Sequence, residues 1–321
     1  MPAVKDETTI SHSIPKRKTN LTDMLSILIA TYNYGCARLA GELRAQAEKL
    51  RLKEKGMFDY EIIISDDGTT NKDTLAENAA ISSWPRCRHV RLATNGGLAH
   101  NRNELVRTAR HEHVLLMDGD AAVCRENFIE KYWQSRQLAE VVCGSLLNPP
   151  GAPSIGHELR YRYERQAERR RTVTYRSKHP YQHFCSFNML ASKSVFERVR
   201  FDERCTEYGY EDALFGLELQ QAGITVAHID NPLIHEGIDS NRSFLRKTET
   251  AMHVLSRLGS PLQEQTGASR YYAILTHFKL GGAAAFLFRL TQNLLRRNLL
   301  GRHPSLLLFS LYKLGYYASL H

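Results

Sequence analysis

Three short acidic motifs follow one another along the chain: Ile63-Ile64-Ser65-Asp66-Asp67-Gly68, then Met117-Asp118-Gly119-Asp120, then Gly209-Tyr210-Glu211-Asp212. Asp118 and Asp120, one residue apart, can hold a hard divalent cation, Mn2+ or Mg2+, and through it a substrate diphosphate. Such an ion serves as a Lewis acid towards a departing diphosphate. In that arrangement Asp120 is a direct ligand, and Asp118 binds a ribose or reaches the metal through water. Gly119 lets the backbone turn past the ligand. Asp66 and Asp67 can accept the imide N–H of a uracil ring or a ribose hydroxyl. Asp212 suits a general base that takes the proton of an attacking hydroxyl, with Glu211 as an acceptor or helix-end contact. A neutral His235 imidazole can complete the metal shell. Each group also has a plainer reading. Asp-Gly pairs favour turns, acids at a helix start offset its dipole, and a lone histidine is ordinarily packed or at the surface. Taken in order, the motifs point to a metal-dependent enzyme that uses a nucleotide-activated substrate.

The elements that must position these groups follow from the hydrophobic pattern. Residues 25–30 form a compact apolar run, the first buried strand, and Thr31-Tyr32-Asn33-Tyr34-Gly35 is the loop after it. Leu39, Leu43, Ala47 and Leu50 recur at helical spacing over residues 37–55, and Gly56 ends that helix. Residues 61–65 are the second strand, so the first two strands are parallel with a right-handed crossover. A helix over 72–82, a strand over 89–92, a turn at Asn95-Gly96-Gly97, a helix over 98–110 and a strand over 114–117 come next. The first two acidic motifs therefore each end a strand, where an open α/β sheet puts its ligand site. A helix over 126–138 and a strand over 141–145 complete a doubly wound half. After Asn148-Pro149-Pro150-Gly151 the pattern breaks, and residues 157–178 are dense in Arg and Tyr. Alternation resumes at 184–190, a helix over 211–221 ends at Gly223, and a last strand over 224–229 is followed by Pro232. A charged helix covers 243–258, and beyond Arg270 the chain is apolar and basic without strand signals.

The composition sets limits on this reading. The chain has 321 residues, 42% hydrophobic, with a net charge of +9 that favours anionic partners. Six scattered cysteines without a C-x-x-C pair suggest neither a zinc site nor a disulfide framework, and fit a reducing cytoplasm. Residues 1–20 are polar and charged, which reads as a flexible lead-in and not a signal peptide. No uninterrupted apolar stretch is long enough for a membrane span.

On these residues the chain resembles the family 2 inverting glycosyltransferases with the nucleotide-sugar (GT-A) fold. Residues 26–33, Ile64-Ser65-Asp66-Asp67-Gly68-Thr69, the segment from Asn95 through Asn103, Asp118-Gly119-Asp120, and the stretch from Phe201 to Asp212 are similar to that family's successive motifs. The resemblance covers about residues 25–258. It implies a Rossmann-like central mixed sheet flanked by helices, over residues 21–260, with a C-terminal helical appendage over 261–321. It implies donor contacts from Thr31, Tyr32, Asn33, Asp67 and Arg102, with Asp66, Gly97 and Asp118 in the same nucleotide site. It implies a metal on Asp120, with Asp118 and His235, and a single inverting displacement with Asp212 as base. The implied reaction is hexosyl or N-acetylhexosaminyl transfer from a nucleotide-sugar donor, UDP-linked by preference, to a glycan or lipid-linked saccharide in surface polysaccharide synthesis. The chain lacks the Gln-x-x-Arg-Trp motif and the spans of processive synthases such as cellulose synthase, so transfer of one or a few sugars is expected.

The basic regions allow further partners. Residues 157–178 lie where such enzymes often carry a variable acceptor loop, and could attract a lipid-linked diphosphate sugar or an acidic glycan. A solvated charged helix is the alternative. Residues 286–302 mix Phe and Leu with Arg289, Arg296, Arg297 and Arg302, and could lie on the anionic inner face of a membrane. The alternative is a helical appendage packed on the catalytic domain or on a second subunit, as in a homodimer. A nucleic-acid binder would also suit the charge, but carboxylates at the ligand edge would repel a phosphate backbone, so no nucleic acid is expected. A nucleotidyltransferase would need a Gly-rich phosphate loop after the first strand, which Thr31-Tyr32-Asn33-Tyr34-Gly35 is not. An inactive sugar-binding scaffold is disfavoured by the intact acidic set.

Overall fold

The computed structural model of the chain describes residues 23–321 apart from 183 and 259. The expected lead-in, residues 1–20, lies outside the described residues. In chain order the elements of the first half are β1 (Asp23–Thr31), α1 (Ala37–Lys53), β2 (Phe58–Asp66), α2 (Lys72–Ala80), β3 (Cys87–Arg91), α3 (Leu98–Thr108), β4 (His113–Asp118), β5 (Ala121–Val123), α4 (Phe128–Ser135) and β6 (Val141–Leu147). Then come α5 (Glu158–Ala167), α6 (Val173–Lys178), β7 (Asn188–Ser192), α7 (Lys193–Arg198), α8 (Glu211–Gln221), β8 (Val226–His235) and α9 (Asn241–Arg257). The chain continues as α10 (Ser260–Gln265), α11 (Gly267–His277), α12 (Gly281–Leu299) and α13 (Leu306–Ala318).

One mixed sheet runs in the order β3-β2-β1-β4-β7-β6-β8-β5. Its first four strands are parallel, and β7 is antiparallel to both neighbours. The period-2 alternation of side chains divides β1 between the two faces. Leu25, Ile27 and Ile29 join Leu39, Leu43, Phe128 and Tyr132 in a core under α1 and α4. Leu28 and Ala30 point the other way, into a core with Leu105, Phe196, Phe201 and Phe215 from the α3, α7 and α8 side. The register pairs Thr31 with Asp66 and Ala30 with Asp118, so the carboxyl ends of β1, β2 and β4 share one edge. The fold is the expected Rossmann-like mixed sheet flanked by helices, with helices at its C-terminal end.

Two details depart from the sequence pattern. First, β6 does not extend the parallel half: β7, from after the Arg-rich segment, inserts antiparallel between β4 and β6. Second, β8 does not stop before Pro232 but runs through it to His235. Pro232 donates no backbone hydrogen bond, and it sits where the β6–β8 register shifts between Cys143 and Ser145. Such an irregularity is where a strand tolerates proline.

The C-terminal helices pack on what precedes them. Phe288, Leu299, Phe309 and Tyr312 share a buried cluster with Leu159 of α5 and with Phe244 and Leu245 of α9. Tyr317 is buried with Met252 and Leu255 of α9. The opposite side of α12 stays open: Phe286, Leu287, Leu290 and Leu294 are each more than half exposed. Among the described residues no helix is long and apolar enough to cross a membrane.

Candidate active site

A cavity of about 760 Å3 opens at the carboxyl edge of β1, β2 and β4, bounded on the far side by α8, α9 and the turn after β8. Thr31, Tyr32, Asp67, Gly97, Arg102, Asp118, Asp120, Glu211, Asp212 and His235 all line it. Asn33 and Asp66 do not line it; they shape the loops beneath. Asn33, at φ 51°, accepts from the amides of Thr70 (2.9 Å) and Asn71 (3.2 Å). Asp66 is fully buried and accepts from the Thr69 amide at 2.6 Å. Both side chains thus fix the turn that presents Asp67.

Asp67 closes the next loop. Its two carboxylate oxygens accept from the Gly96 (2.8 Å) and Gly97 (3.0 Å) amides. Burial nevertheless raises its pKa above the ordinary carboxylate value. Gly97, at φ +87°, is constrained further: a Cβ there would come within 2.7 Å of the Thr206 carbonyl oxygen. That contact joins the α3 N-terminus to the segment before α8.

Arg102 stands at the centre of the site. It is 1% exposed, donates Nη2–H to Asp118 Oδ1 at 2.7 Å and Nη1–H to Asp212 Oδ1 at 2.9 Å, and stacks over Phe201. Burial alone would weaken its hold on the proton, but Asp118 and Asp212 outweigh that and raise its pKa. Burial pushes the Asp118 carboxyl up to about 6 against the pull of Arg102. Asp212, in the first turn of α8, also accepts from the Ser186 amide at 3.2 Å and from the Ser186 hydroxyl. The turn into α8 is tight: Gly209 is at φ +123° and Tyr210 at φ +69°. Glu211 accepts from the Gly209 amide, and burial, aided by Asp212, pushes its carboxyl up to about 7.

Asp120 and His235 meet because β5 pairs antiparallel with β8, setting Ala121 opposite His235. His235 Nε2 lies 3.2 Å from Asp120 Oδ2. Burial would raise the Asp120 pKa, but the hydrogen bond and charge from His235 outweigh it and hold it below the ordinary value. Asp120 sits against Gly237, where a Cβ would fall 2.1 Å from Oδ2. The other ring nitrogen of His235 faces Glu164 Oε1 at 3.7 Å and has no hydrogen-bond partner. The expected three-residue metal set is therefore only partly assembled. Asp120 and His235 converge, while Asp118 is turned to Arg102. Among the described residues no group of three His, Cys, Asp or Glu side chains converges for a metal. Asp120 and His235, one oxygen and one imidazole nitrogen donor side by side, are the residues present that would hold a divalent cation.

Ser186 and Lys247 carried no signal in the sequence, while Arg160 and Tyr208 fell within the Arg-rich segment and the last motif without roles of their own. Arg160 pairs with Glu164 at 2.5 Å and donates to the Tyr208 hydroxyl at 3.2 Å. Lys247 pairs with Asp239 at 2.9 Å and lies 5.1 Å from the Tyr208 ring. Along with Tyr208 and Asp239, Arg160 and Lys247 line the rim of the same cavity. They come from α5, α9 and loops, and only the tertiary fold collects them.

The chain has known relatives. The family described as Glycosyl transferase family 2 matches residues 26–200, more than half of the chain. The chain belongs to this family. A chondroitin synthase of Escherichia coli is 24% identical over 251 residues, spanning 68% of this chain and 35% of that protein. The glycosyltransferase GlyG of Streptococcus pneumoniae is 28% identical over 130 residues, 40% of each chain. The chain thus spans well under half the length of these relatives. A solved mannosyltransferase from Pyrobaculum calidifontis, in complex with GDP-Man and Mn2+, superposes with a TM-score of 0.54 at 15% identity, covering 92% of this chain and 84% of that one. At that identity the likeness speaks for the fold.

Proposed function

We propose that this family 2 protein transfers a hexosyl or N-acetylhexosaminyl unit from a nucleotide diphosphate donor, a UDP-sugar by preference, to a hydroxyl of a glycan or lipid-linked saccharide. The carrying observation is the placement of Asp120–His235 and Asp118–Arg102–Asp212 in one cavity at the ends of the parallel strands. Seven carboxylates line that cavity against Arg102, Arg160 and Lys247. An anionic diphosphate entering so acidic a site needs a cation with it. Mn2+ or Mg2+ held by Asp120 and His235, with Asp118 reached through water, would supply Lewis-acid stabilisation of the leaving diphosphate. Thr31, Tyr32, Asp67 and Gly97 frame the nucleotide end.

Asp212 takes the role of base. Asp212 lines the cavity; its Oδ2 accepts only the Ser186 amide, while Oδ1 is held by Arg102 and Ser186. A carboxylate so fixed can receive the acceptor's proton as the hydroxyl attacks the anomeric carbon from the face opposite the leaving group, a displacement that inverts that carbon.

Calorimetric titration with UDP, GDP and dTDP, each with Mn2+ and with EDTA, tests this reading. Metal-dependent binding of one nucleotide is expected. A folded protein that binds none of them would move the reading to a scaffold.

The location we propose is the anionic inner face of a membrane, with residues 261–321 as the contact. Phe286, Leu290 and Leu294 recur along one exposed side of α12 and Arg297 continues that line, an arrangement suited to apolar insertion with basic flanks. Leu290→Glu with Leu294→Glu should release the protein from anionic vesicles in a sedimentation assay. Unchanged co-sedimentation would sink this part, and self-association of the wild type in its place would favour a homodimer.

A further inference from the structure

A second cavity, of about 480 Å3, lies beside the first between α5–α6 and strands β6 and β7. The two share Leu146, Cys185 and Phe187 as walls, and Ser186 between the last two binds Asp212. Four arginines line the second cavity, Arg169, Arg170, Arg171 and Arg176, and no carboxylate does. Of the four, only Arg171 meets a carboxylate among the described residues. Glu168 is taken by Arg165 at 3.1 Å and Asn148 at 2.7 Å. Glu164 is shared between Arg160 and Arg171, at 2.5 and 2.7 Å.

Arg176 is half-buried and donates only to neutral partners: the carbonyls of Ile229 (2.9 Å), Arg171 (3.0 Å), Cys143 (3.3 Å) and Gly144, and His228 Nδ1 at 2.8 Å. Burial, with the Arg176 charge, lowers the His228 pKa to about 4 against the hydrogen bond its Nε2–H donates to the Pro180 carbonyl. Arg171 Nη1 is buried without a hydrogen-bond partner. Arg169 and Arg170 are exposed and have no ion pair among the described residues. A buried or half-buried guanidinium without an anion is a costly arrangement that a bound anion relieves. Tyr163, 36% exposed, adds an aromatic face to the same cavity.

We infer that this cavity binds the phosphate or diphosphate group of a phosphorylated acceptor. Three guanidinium groups without a carboxylate partner match the charge of a diphosphate better than that of a single carboxylate, and the planar guanidinium fork suits phosphate oxygens. The anion would sit against the Cys185–Phe187 wall, whose middle residue Ser186 hydrogen-bonds Asp212. The inference rests on the transferase reading for the word acceptor, and on the cavity alone for the anion.

The test is calorimetric titration of the full chain with inorganic pyrophosphate in EDTA, which removes any metal route into the donor cavity. The wild type should bind pyrophosphate, and more tightly than glucuronate. Arg169→Ala with Arg170→Ala should weaken pyrophosphate binding by about tenfold or more, since each lost charge-assisted hydrogen bond is worth roughly that factor. Arg169→Glu with Arg170→Glu should abolish it, with an unchanged circular dichroism melt as the control for folding. Saturating UDP with Mn2+ should not compete for a non-hydrolysable phosphate probe such as methylene diphosphonate. Undiminished binding by both variants, displacement by UDP, or no binding by the wild type would each overturn the inference. Farnesyl diphosphate binding above that of pyrophosphate would identify a lipid carrier as the source, and equal binding a water-soluble phosphorylated glycan. Loss of all nucleotide binding with the pyrophosphate result intact would remove the transferase reading and leave the anion site standing. Intact nucleotide binding with no effect of either double substitution would do the reverse.

Discussion

The two cavities either side of Cys185–Phe187 have opposite electrostatics on one scaffold. The strand-end cavity is lined by seven carboxylates and only three permanent cations. Its neighbour is lined by four arginines and no acid. In the first, arginine is the minority: Arg102 is nearly inaccessible with each side of its fork committed to a carboxylate, and Arg160 pairs with Glu164. In the second, the arginines are in excess and two of them face solvent. The difference teaches how one protein can handle two phosphorylated molecules. An acidic pocket accepts a diphosphate only with a cation, which adds a metal requirement, whereas a basic pocket accepts one directly. The same residue type therefore has opposite consequences when it is removed.

Predictions that break or sharpen this contrast run from large effects to small. Asp212→Asn should lower transfer by about 10²–10⁴-fold while donor binding persists, the range for a lost general base. Retained transfer would assign the base elsewhere, with Glu211 the first group to examine. Arg102→Met should cost about 3–5 kcal/mol of stability in urea unfolding, because it leaves Asp118 and Asp212 without their cation. The arginine-lined cavity should answer differently: Arg169→Ala with Arg170→Ala should change stability by less than about 0.5 kcal/mol, as surface substitutions do. Equal losses in the two variants would erase the distinction between the cavities. Asp120→Ala should remove the gain in nucleotide affinity that Mn2+ gives, on the order of tenfold or more, and leave metal-free binding alone. An affinity that still responds to Mn2+ would move the metal away from Asp120.

A further prediction concerns pH. The Glu211 carboxyl is raised from 4.5 to about 7 in the folded chain. Below 4.5 it is neutral both folded and unfolded, and its neutral form fits the site without penalty. As pH rises towards 7 the unfolded chain releases this proton first, so stability falls, and above 7 the loss is constant. Glu211→Gln should remove that window. Its melting temperature relative to the wild type should rise between pH 4.5 and 7 and then level off. A difference independent of pH would show that Glu211 titrates in its ordinary range.

Much of the sheet was legible because β1, β2 and β4 are compact apolar runs each ended by a polar motif. The α8 limits, residues 211–221, came out as expected, from an acidic start and a glycine two residues past the end. The Asp120–His235 pairing was legible as chemistry but not as geometry. It depends on the three-residue strand β5, which has no room for a periodic signal, and on β8 running through Pro232. The resemblance gave Arg102 a donor contact. In the fold it bridges Asp118 and Asp212, sixteen and 110 positions away. Asn33 and Asp66 carry the family's motif residues, yet their side chains hold turns and do not open into the cavity. In the C-terminal region only the packing on the catalytic domain is seen directly. Phe288 and Leu299 pack inward on α5 and α9, and Phe286 and Leu290 face out.

Local sequence determined which segments become strands and helices and which carboxylates stand at their ends, because hydrophobic period and turn chemistry act over a few residues. It also determined the charge inventory: an acidic set in three motifs and an arginine-dense stretch between them. Tertiary structure alone decided how that inventory is divided. The antiparallel insertion of β7 between β4 and β6 sets Cys185, Ser186 and Phe187 as a wall with acids on one side and arginines on the other. Strand order is a long-range property of the whole sheet, and no window of sequence contains it.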